Sequence, residues 1–287
     1  MKLSSKTRIV QWGGGLILMA AFLYPFLKRP PIDKPRLVPA KDPQCESAYR
    51  SFYLKDEIEI RIIFGYKDSR PARFVGDRYE RAHFIRRLAD LNFTRDRLDD
   101  DLFTTQIMGP DQKLKTVKLR VAQSSVGPDD VANRQDPYQR YRSSEAERVF
   151  LEGLSHADAV FYNGHSRDGG GPDFEPPLCV ESTQHVAYAW YRSHRPGLKK
   201  MINALNAAPV KPNLIGLFSC SSSGHFAGSV LRASPSGLIA TSSLLYYSDA
   251  LQGLVETLDG LLKQKCQADF HPLGTQLLGF FPKKLKI

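Results

Sequence analysis

The sequence lacks the short motifs that mark metal-binding and disulfide-rich proteins. It has four cysteines in 287 residues and no Cys-x-x-Cys pair, which argues against a disulfide scaffold, a zinc ribbon and a thioredoxin-like redox site. Its seven histidines form no His-Glu-x-x-His motif, and its acids show no EF-hand spacing. No internal repeat is visible. The chemistry therefore has to come from single side chains that the fold brings together.

The basic excess of the chain is concentrated in its first residues. The formal net charge is +10, but residues 1–41 hold eight Lys or Arg side chains against one acid, Asp33. The rest of the chain carries only +3. A nucleic-acid-binding protein would carry its basic patch on the folded part, so we expect no nucleic-acid partner.

One long apolar run precedes the globular part. Residues 9–27 contain Gln11 as their only strongly polar member, and a helix of this length spans about 28 Å, close to the thickness of the hydrocarbon core. Basic residues flank the run, and no small-x-small cleavage site follows it. We expect residues 1–29 to be an uncleaved signal anchor that contacts the membrane through residues 9–27. Cleavage would instead make the protein secreted.

The residues after the run are proline-rich. Residues 30–44 contain five prolines and are predicted to form an extended stalk, which leaves residues 45–287 as the globular domain. A short charged amino terminus usually stays in the cytoplasm, so we expect this domain in the periplasm or at the cell exterior. A disulfide can form there. Spacing does not determine its pairing, and the pair that we favour is Cys45 with Cys266.

The globular part alternates strand-like and helix-like segments. Strands are predicted at 57–64, 103–108, 114–122, 157–162, 213–219 and 237–245, and helices at 79–91, 144–154, 184–192, 198–207, 224–233 and 249–265. The helix at 144–154 is predicted from a capping box that begins at Ser144, and the polar residues 123–142 are predicted to form a loop. The alternation predicts an α/β fold, a three-layer α/β/α sandwich with a mostly parallel sheet. In such sheets the chemistry lies at the carboxyl ends of the strands.

Two of the predicted strands end in reactive side chains. One runs through Val160 to Gly164 and His165, and the other runs through Leu214 to Ser219 and Cys220. If these strands are parallel and adjacent, the histidine and the cysteine emerge at one edge of the sheet. A thiol beside a histidine and just ahead of a helix is readily deprotonated and attacks acyl carbons well. The pattern therefore predicts a nucleophile and its base.

An apolar strand that ends in Gly-His, followed roughly 55 residues later by one that ends in a small residue and Cys, resembles the caspase–gingipain clan of cysteine peptidases. Bacterial caspase-like and gingipain-like members look most similar, and the resemblance covers residues 57–265. It implies a caspase-like fold, a peptide or protein substrate and a thioester acyl-enzyme, with no organic cofactor and no metal. His165 would be the general acid/base and Cys220 the nucleophile.

The resemblance also implies supporting roles for the neighbours of the pair. The Cys220 amide and one amide of the loop after the histidine would form the oxyanion hole, and Gly164, Ser166 and Ser219 would support these loops. Asp249 would line the specificity pocket and favour Arg or Lys at the cleaved position. An Asp at the start of a helix, favoured there without any function, is the alternative.

Two departures from the pattern leave an alternative function open. The clan usually has glycine where this chain has Ser166, and its glycine after the cysteine is displaced here to Gly224. A catalytically inactive caspase-like binding scaffold would tolerate both changes.

A less favoured alternative is a Ser-Asp-His α/β-hydrolase. Residues 164–168 nearly match the G-x-S-x-G motif around Ser166, and Asp249 and His271 follow in the order of that class. The motif lacks its last glycine because position 168 is Asp, and this interpretation gives Cys220 no role.

Overall fold

The part of the chain that the structure describes begins just before the predicted globular domain. A computed structural model describes residues 43–67, 76–234, 237–266 and 275–278. The first helix of the described part begins at Pro43, two residues before the predicted domain start. The predicted anchor at 1–29 and the stalk up to residue 42 lie outside the described residues. Within the described ranges, no helix has the length and apolar character needed to span a bilayer.

Eight helices and eight strands make up the regular structure of the described residues. In chain order they are α1 Pro43–Phe52, β1 Glu57–Phe64, α2 Asp77–Leu88, β2 Thr94–Arg95, β3 Leu102–Met108, β4 Leu114–Gln123, α3 Asp130–Gln135, α4 Gln139–His156, β5 Ala159–Asn163, α5 Tyr188–His194, α6 Pro196–Ala207, β6 Leu214–Phe218, α7 Ser222–Ala233, β7 Gly237–Thr241, α8 Tyr247–Leu262 and β8 Thr275–Leu278. Short 3-10 turns follow α2 at Ala89–Leu91 and β5 at Arg167–Gly169.

The strands form one sheet in the order β2-β3-β4-β1-β5-β6-β7-β8. The central strands β4, β1, β5, β6 and β7 are parallel, and antiparallel strands complete both edges. The α/β class and the mostly parallel sheet are confirmed. The chain leaves β1 toward β4 on one side and later returns to β5 on the other, so a topological switch point lies between β1 and β5.

Helices cover both faces of the sheet because its central strands are apolar on both faces. All residues of β5, β6 and β7 are buried, as parallel strands in α/β proteins usually are. Phe84 of α2 and Leu258 of α8 belong to the core on one face. Phe150 of α4, Met201 of α6 and Phe226 of α7 belong to the core on the other face. Each such side chain contributes about 1.5–3 kcal/mol by its burial.

The predicted loop at 123–142 and the predicted helix start at Ser144 are wrong. Residues 130–135 form α3, and α4 already begins at Gln139. The Gln139 amide is buried and donates to the Ser124 carbonyl and to the Ser143 hydroxyl, both at 2.8 Å. Polar residues that suggested an exposed loop are therefore buried and hydrogen-bonded inside the fold.

The segment after β7 also differs from its prediction. The strand predicted to reach residue 245 ends at Thr241, and the helix predicted from Asp249 begins at Tyr247. Residues 242–246 are therefore a loop at the carboxyl edge of the sheet. This loop contacts the candidate site.

Candidate active site

His165 and Cys220 leave the sheet at the same level of its carboxyl edge. Strands β5 and β6 are adjacent and parallel, and Asn163 lies opposite Phe218 in their register. The Gly164 amide continues this pairing by donating to the Phe218 carbonyl at 3.3 Å. His165 and Cys220 each follow the last register pair by two residues. Strands β5 and β6 thus bring the two predicted residues to one edge of the sheet.

The loop between β7 and α8 contacts Cys220, and the first residue of α8 contacts His165. The Leu245 amide donates to Cys220 Sγ at 3.5 Å, and the thiol donates to the Leu245 carbonyl at 3.7 Å. The Tyr247 ring lies edge-on to the His165 ring, with centroids 6.1 Å apart. Among the described residues, no hydrogen bond joins the thiol to the imidazole. Hydrogen bonds between catalytic groups are often absent without substrate and form only when it binds.

The surroundings of His165 favour its neutral form. Burial lowers the pKa of the imidazole well below its usual value, and the positive charges of Arg167 and Lys67 lower it further. The lowered pKa makes the ring a weaker base than a free imidazole, but it keeps the ring neutral at pH 7 and able to accept a proton. This is the protonation state that a general base requires.

A buried ion pair lies behind the histidine, and sequence reasoning missed it. Lys67 Nζ donates to Glu80 at 2.6 Å and to Asn163 Oδ1 at 2.7 Å, and it lies 4.9 Å from the centre of the Tyr247 ring. Burial raises the pKa of Glu80 to about 7, although the Lys67 charge acts in the opposite direction. The cluster joins the carboxyl ends of β1 and β5 beneath the site.

Asp77, at the start of α2, ties the same strand ends together. Its carboxylate accepts hydrogen bonds from the amides of Ser124, Ser125 and Lys67 at 2.9, 2.7 and 3.3 Å, and from the Ser125 hydroxyl at 2.6 Å. Complete burial raises the pKa of this carboxyl, and the hydrogen bonds from Ser125, Lys67 and Ser124 oppose the rise. Asp77 thereby connects the segments that follow β1 and β4.

Tyr162, in the core of β5, holds the backbone of the histidine. Its hydroxyl donates to the His165 carbonyl at 2.9 Å and accepts from the Asp173 amide at 3.0 Å. A Cβ atom at Gly164 would collide with this hydroxyl, so Gly164 is needed for the contact. Ser166, in contrast, has a φ of −80°, which any residue can adopt. Serine in place of the expected glycine therefore leaves the loop backbone unstrained.

Left-handed backbone follows both candidate residues. Arg167 and Asp168 have φ of 48° and 51°, and Ser221 has φ of 51°. Such conformations cost about 1–3 kcal/mol for residues other than glycine and cluster at functional sites. The Ser166 carbonyl stabilises the first of these loops by accepting from the amides of Gly169 and Gly171.

Two backbone amides at this edge of the sheet have no acceptor among the described residues. Neither the Cys220 amide nor the Ser166 amide donates to another described residue, whereas the Gly164 amide is used in the sheet. The Ser219 hydroxyl is buried without a hydrogen-bond partner. A Cβ at Gly224 would meet nothing within 4 Å, so the fold does not require glycine at this displaced position.

A cavity of about 510 Å³ opens beside His165 at the switch point. Its walls include Tyr66 after β1, Arg167 after β5 and Tyr247, the first residue of α8. Arg167 is 4 % exposed, its Nε donates to Asp173 at 2.7 Å, and its Nη2 is buried without a partner. Asp249 is not one of the described wall residues and lies in the first turn of α8. Its role in specificity stays a prediction.

The geometry around Ser166 does not suit a nucleophile elbow. An elbow is a sharp turn from a strand into a helix, but β5 is followed by a 3-10 turn and an irregular segment that reaches α5 only at Tyr188. His271, the third member of the proposed triad, lies outside the described residues. Two acids of this loop pair with arginines, Asp168 with Arg192 and Asp173 with Arg167. Nowhere in the described ranges do three metal-ligating side chains gather.

Comparisons with protein-family models, with curated proteins and with solved structures find no match for this chain.

We expect Tyr162→Phe to lower turnover with little change in substrate affinity. The change removes the donor to the His165 carbonyl and the acceptor for the Asp173 amide, so the loop loses its anchor while the cavity wall is unchanged. We expect kcat to fall by about 10-fold, which corresponds to about 1.4 kcal/mol of lost transition-state stabilisation, because the loop that carries His165 is held less firmly. Steady-state kinetics would show the effect in kcat. A purely structural role would lower only the unfolding midpoint.

The free energy of unfolding should fall as the pH drops below about 6.5, where an unfolded histidine gains its proton. The folded pKa of His165 lies below that value, so the unfolded chain binds the proton first and becomes favoured. The contribution of the uncharged His165 ring to the free energy of unfolding is therefore present at higher pH and is lost on acidification. Urea unfolding at pH 7 and pH 5 should show a smaller difference for His165→Gln than for the wild type. Equal differences would contradict the burial of an uncharged ring.

Proposed function

We propose that this protein is a cysteine endopeptidase with a caspase-like fold, in which Cys220 is the nucleophile and His165 the general acid/base. The observation that carries the proposal is the register of β5 and β6, which brings both residues to the same carboxyl edge. The cavity beside His165 at the switch point is the proposed place for a peptide, although Cys220 is not one of its described wall residues.

The described groups account for each step of peptide hydrolysis. The Cys220 sulfur attacks the peptide carbonyl carbon, and His165 accepts the thiol proton. The amides of Cys220 and Ser166 donate to the oxygen that becomes negative. His165 then protonates the leaving amine as the C–N bond breaks, and a thioester remains on Cys220. Water, activated by His165, hydrolyses the thioester and restores the thiol.

The compartment that we propose is outside the cytoplasm, with the domain held at the membrane by residues 9–27. Cys266 is disulfide-bonded, and disulfides persist mainly in oxidising compartments. The side chain of Cys45, the partner expected from the sequence, lies outside the described part. The proposed partner is a peptide or protein substrate, and the proposed architecture is a three-layer α/β/α sandwich that follows an amino-terminal transmembrane helix.

Hydrolysis of a fluorogenic peptide library tests the proposal directly. The full-length protein should release fluorophore, Cys220→Ala should abolish the release, and Cys179→Ala should retain it. Cys179 is a matched control because it too is free and half-buried. Hydrolysis that survives Cys220→Ala would overturn the assignment of the nucleophile.

A catalytically inactive binding scaffold is the second candidate. One observation favours it: the Cys220 thiol is hydrogen-bonded to the backbone of Leu245 and not to the His165 ring. A scaffold would bind library peptides with equal affinity in the wild type and in Cys220→Ala, and would hydrolyse none of them.

A further inference from the structure

A second cavity lies on the outer surface, in the groove between α6 and α7. Its volume is about 450 Å³, within the range of small-molecule sites. Three cationic side chains line it, Arg195, Lys199 and Arg232, and no described carboxylate does. The amides of Asn203 and Asn206 add hydrogen-bond donors on the α6 side. The groove thus concentrates positive charge that the described part of the protein leaves uncompensated.

Arg195 is held in place before any ligand arrives. Its backbone is left-handed, with φ of 49°, where α5 ends and α6 begins. Its Nε donates to the Gly169 carbonyl at 3.1 Å, and its Nη2 donates to the His225 carbonyl at 2.6 Å. Neither acceptor is a charged group, so the positive charge is not neutralised. Because the side chain is already ordered, a ligand would bind it with little further loss of entropy.

The other two cations also have no carboxylate partner among the described residues. Arg232 makes only a contact of 3.4 Å with the Ser229 hydroxyl of its own helix. Lys199 is exposed and unpaired, whereas its neighbour Lys200 pairs with Glu147 at 2.7 Å. The two adjacent lysines of α6 therefore have different surroundings. One neutralises an acid on α4, and the other faces the groove.

We propose that this groove binds the phosphate monoester or diphosphate group of a small soluble molecule. A phosphate monoester carries a charge of about −1.5 to −2 and three strong acceptor oxygens, which matches two arginines, a lysine and two amides. A single carboxylate, or the phosphodiester of a lipid headgroup, carries one charge and would leave the cations largely uncompensated. The side chains of Leu198 and Ile202 also line the groove and provide an apolar surface for the organic part of the ligand.

Calorimetric titration of the full-length protein with inorganic pyrophosphate, at constant ionic strength, tests this site. We expect saturable binding that weakens at least about 10-fold in Lys199→Gln/Arg232→Gln, because each lost charge-assisted hydrogen bond is worth about that factor. Lys200→Gln is the matched control and should change the affinity by less than about twofold. Cys220→Ala should bind as the wild type does, since the site does not depend on the proposed peptidase chemistry.

Two results would overturn the inference. One is the absence of saturable binding up to about 10 mM pyrophosphate, weaker than most specific small-ligand affinities. The other is equal binding by the double variant and the wild type. Citrate titrated in the same way should bind more weakly, and equal binding of citrate would contradict the assignment of the ligand as a phosphate.

Discussion

Replacement of His165 by alanine is expected to lower peptide hydrolysis by about 10²- to 10⁴-fold, the usual contribution of a general acid–base. In the proposed mechanism the neutral ring at the edge of the sheet takes the thiol proton and returns it to the leaving amine. The loss should appear in kcat/KM across all library peptides that the wild type cleaves. Because the side chain is half-buried in a loop, we expect the variant to fold.

His156→Ala is the matched control for this experiment. That histidine ends α4, just before β5 begins, and therefore lies at the opposite edge of the sheet. Its removal should leave hydrolysis unchanged. A loss of activity equal to that of His165→Ala, or full activity in His165→Ala, would contradict the role assigned to His165.

Replacement of Asp77 by alanine is expected to destabilise the fold by about 4 kcal/mol. The change leaves three buried amides and a buried hydroxyl without their acceptor, and each unpaired group costs about 1–3 kcal/mol before relaxation. The midpoint of urea unfolding should fall accordingly. The segments after β1 and β4 should also lose protection from hydrogen exchange, since Asp77 holds them together.

Two further variants make the Asp77 experiment decisive. Asp90→Ala removes an exposed acid that pairs with Arg87 at 3.3 Å, and it should cost less than about 1 kcal/mol. Ser125→Ala removes only the hydroxyl donor to Asp77 and should cost about 1 kcal/mol, so it is measurable even if Asp77→Ala does not fold. Equal stability of Asp77→Ala and Asp90→Ala would contradict the account of this network.

The sheet could be predicted because its strands are apolar on both faces. The continuous apolar segments that form β5 and β6 would be exposed to water on a protein surface, so they indicate buried strands. The candidate residues His165 and Cys220 follow directly after the ends of these segments. Helix α3 and the first turn of α4 were missed for the opposite reason. Asn133, Gln139 and Ser143 are polar, and their burial depends on partners elsewhere in the fold, such as the Tyr66 hydroxyl, which Asn133 contacts at 3.0 Å.

The supporting residues of the site could not be predicted because their roles arise from packing between distant segments. Tyr162 reads as an ordinary core residue of a strand, and its hydroxyl reaches the His165 carbonyl only because Gly164 leaves space for it. Lys67 and Glu80 read as surface charges of a loop and a helix, yet they form a buried pair. No pattern of residue spacing in the sequence predicts the Tyr162 contact or the Lys67–Glu80 pair.

The most direct test of the central claim is the rate at which iodoacetamide alkylates Cys220 relative to Cys179 in the same protein at pH 7. Both thiols are free and half-buried, so exposure does not separate them. The account predicts that Cys220 reacts at least about 10-fold faster, as an activated thiol does, and that His165→Ala removes the difference while the rate at Cys179 is unchanged. Equal rates at the two cysteines, or a fast rate that survives His165→Ala, would contradict the claim that His165 and Cys220 act as a pair.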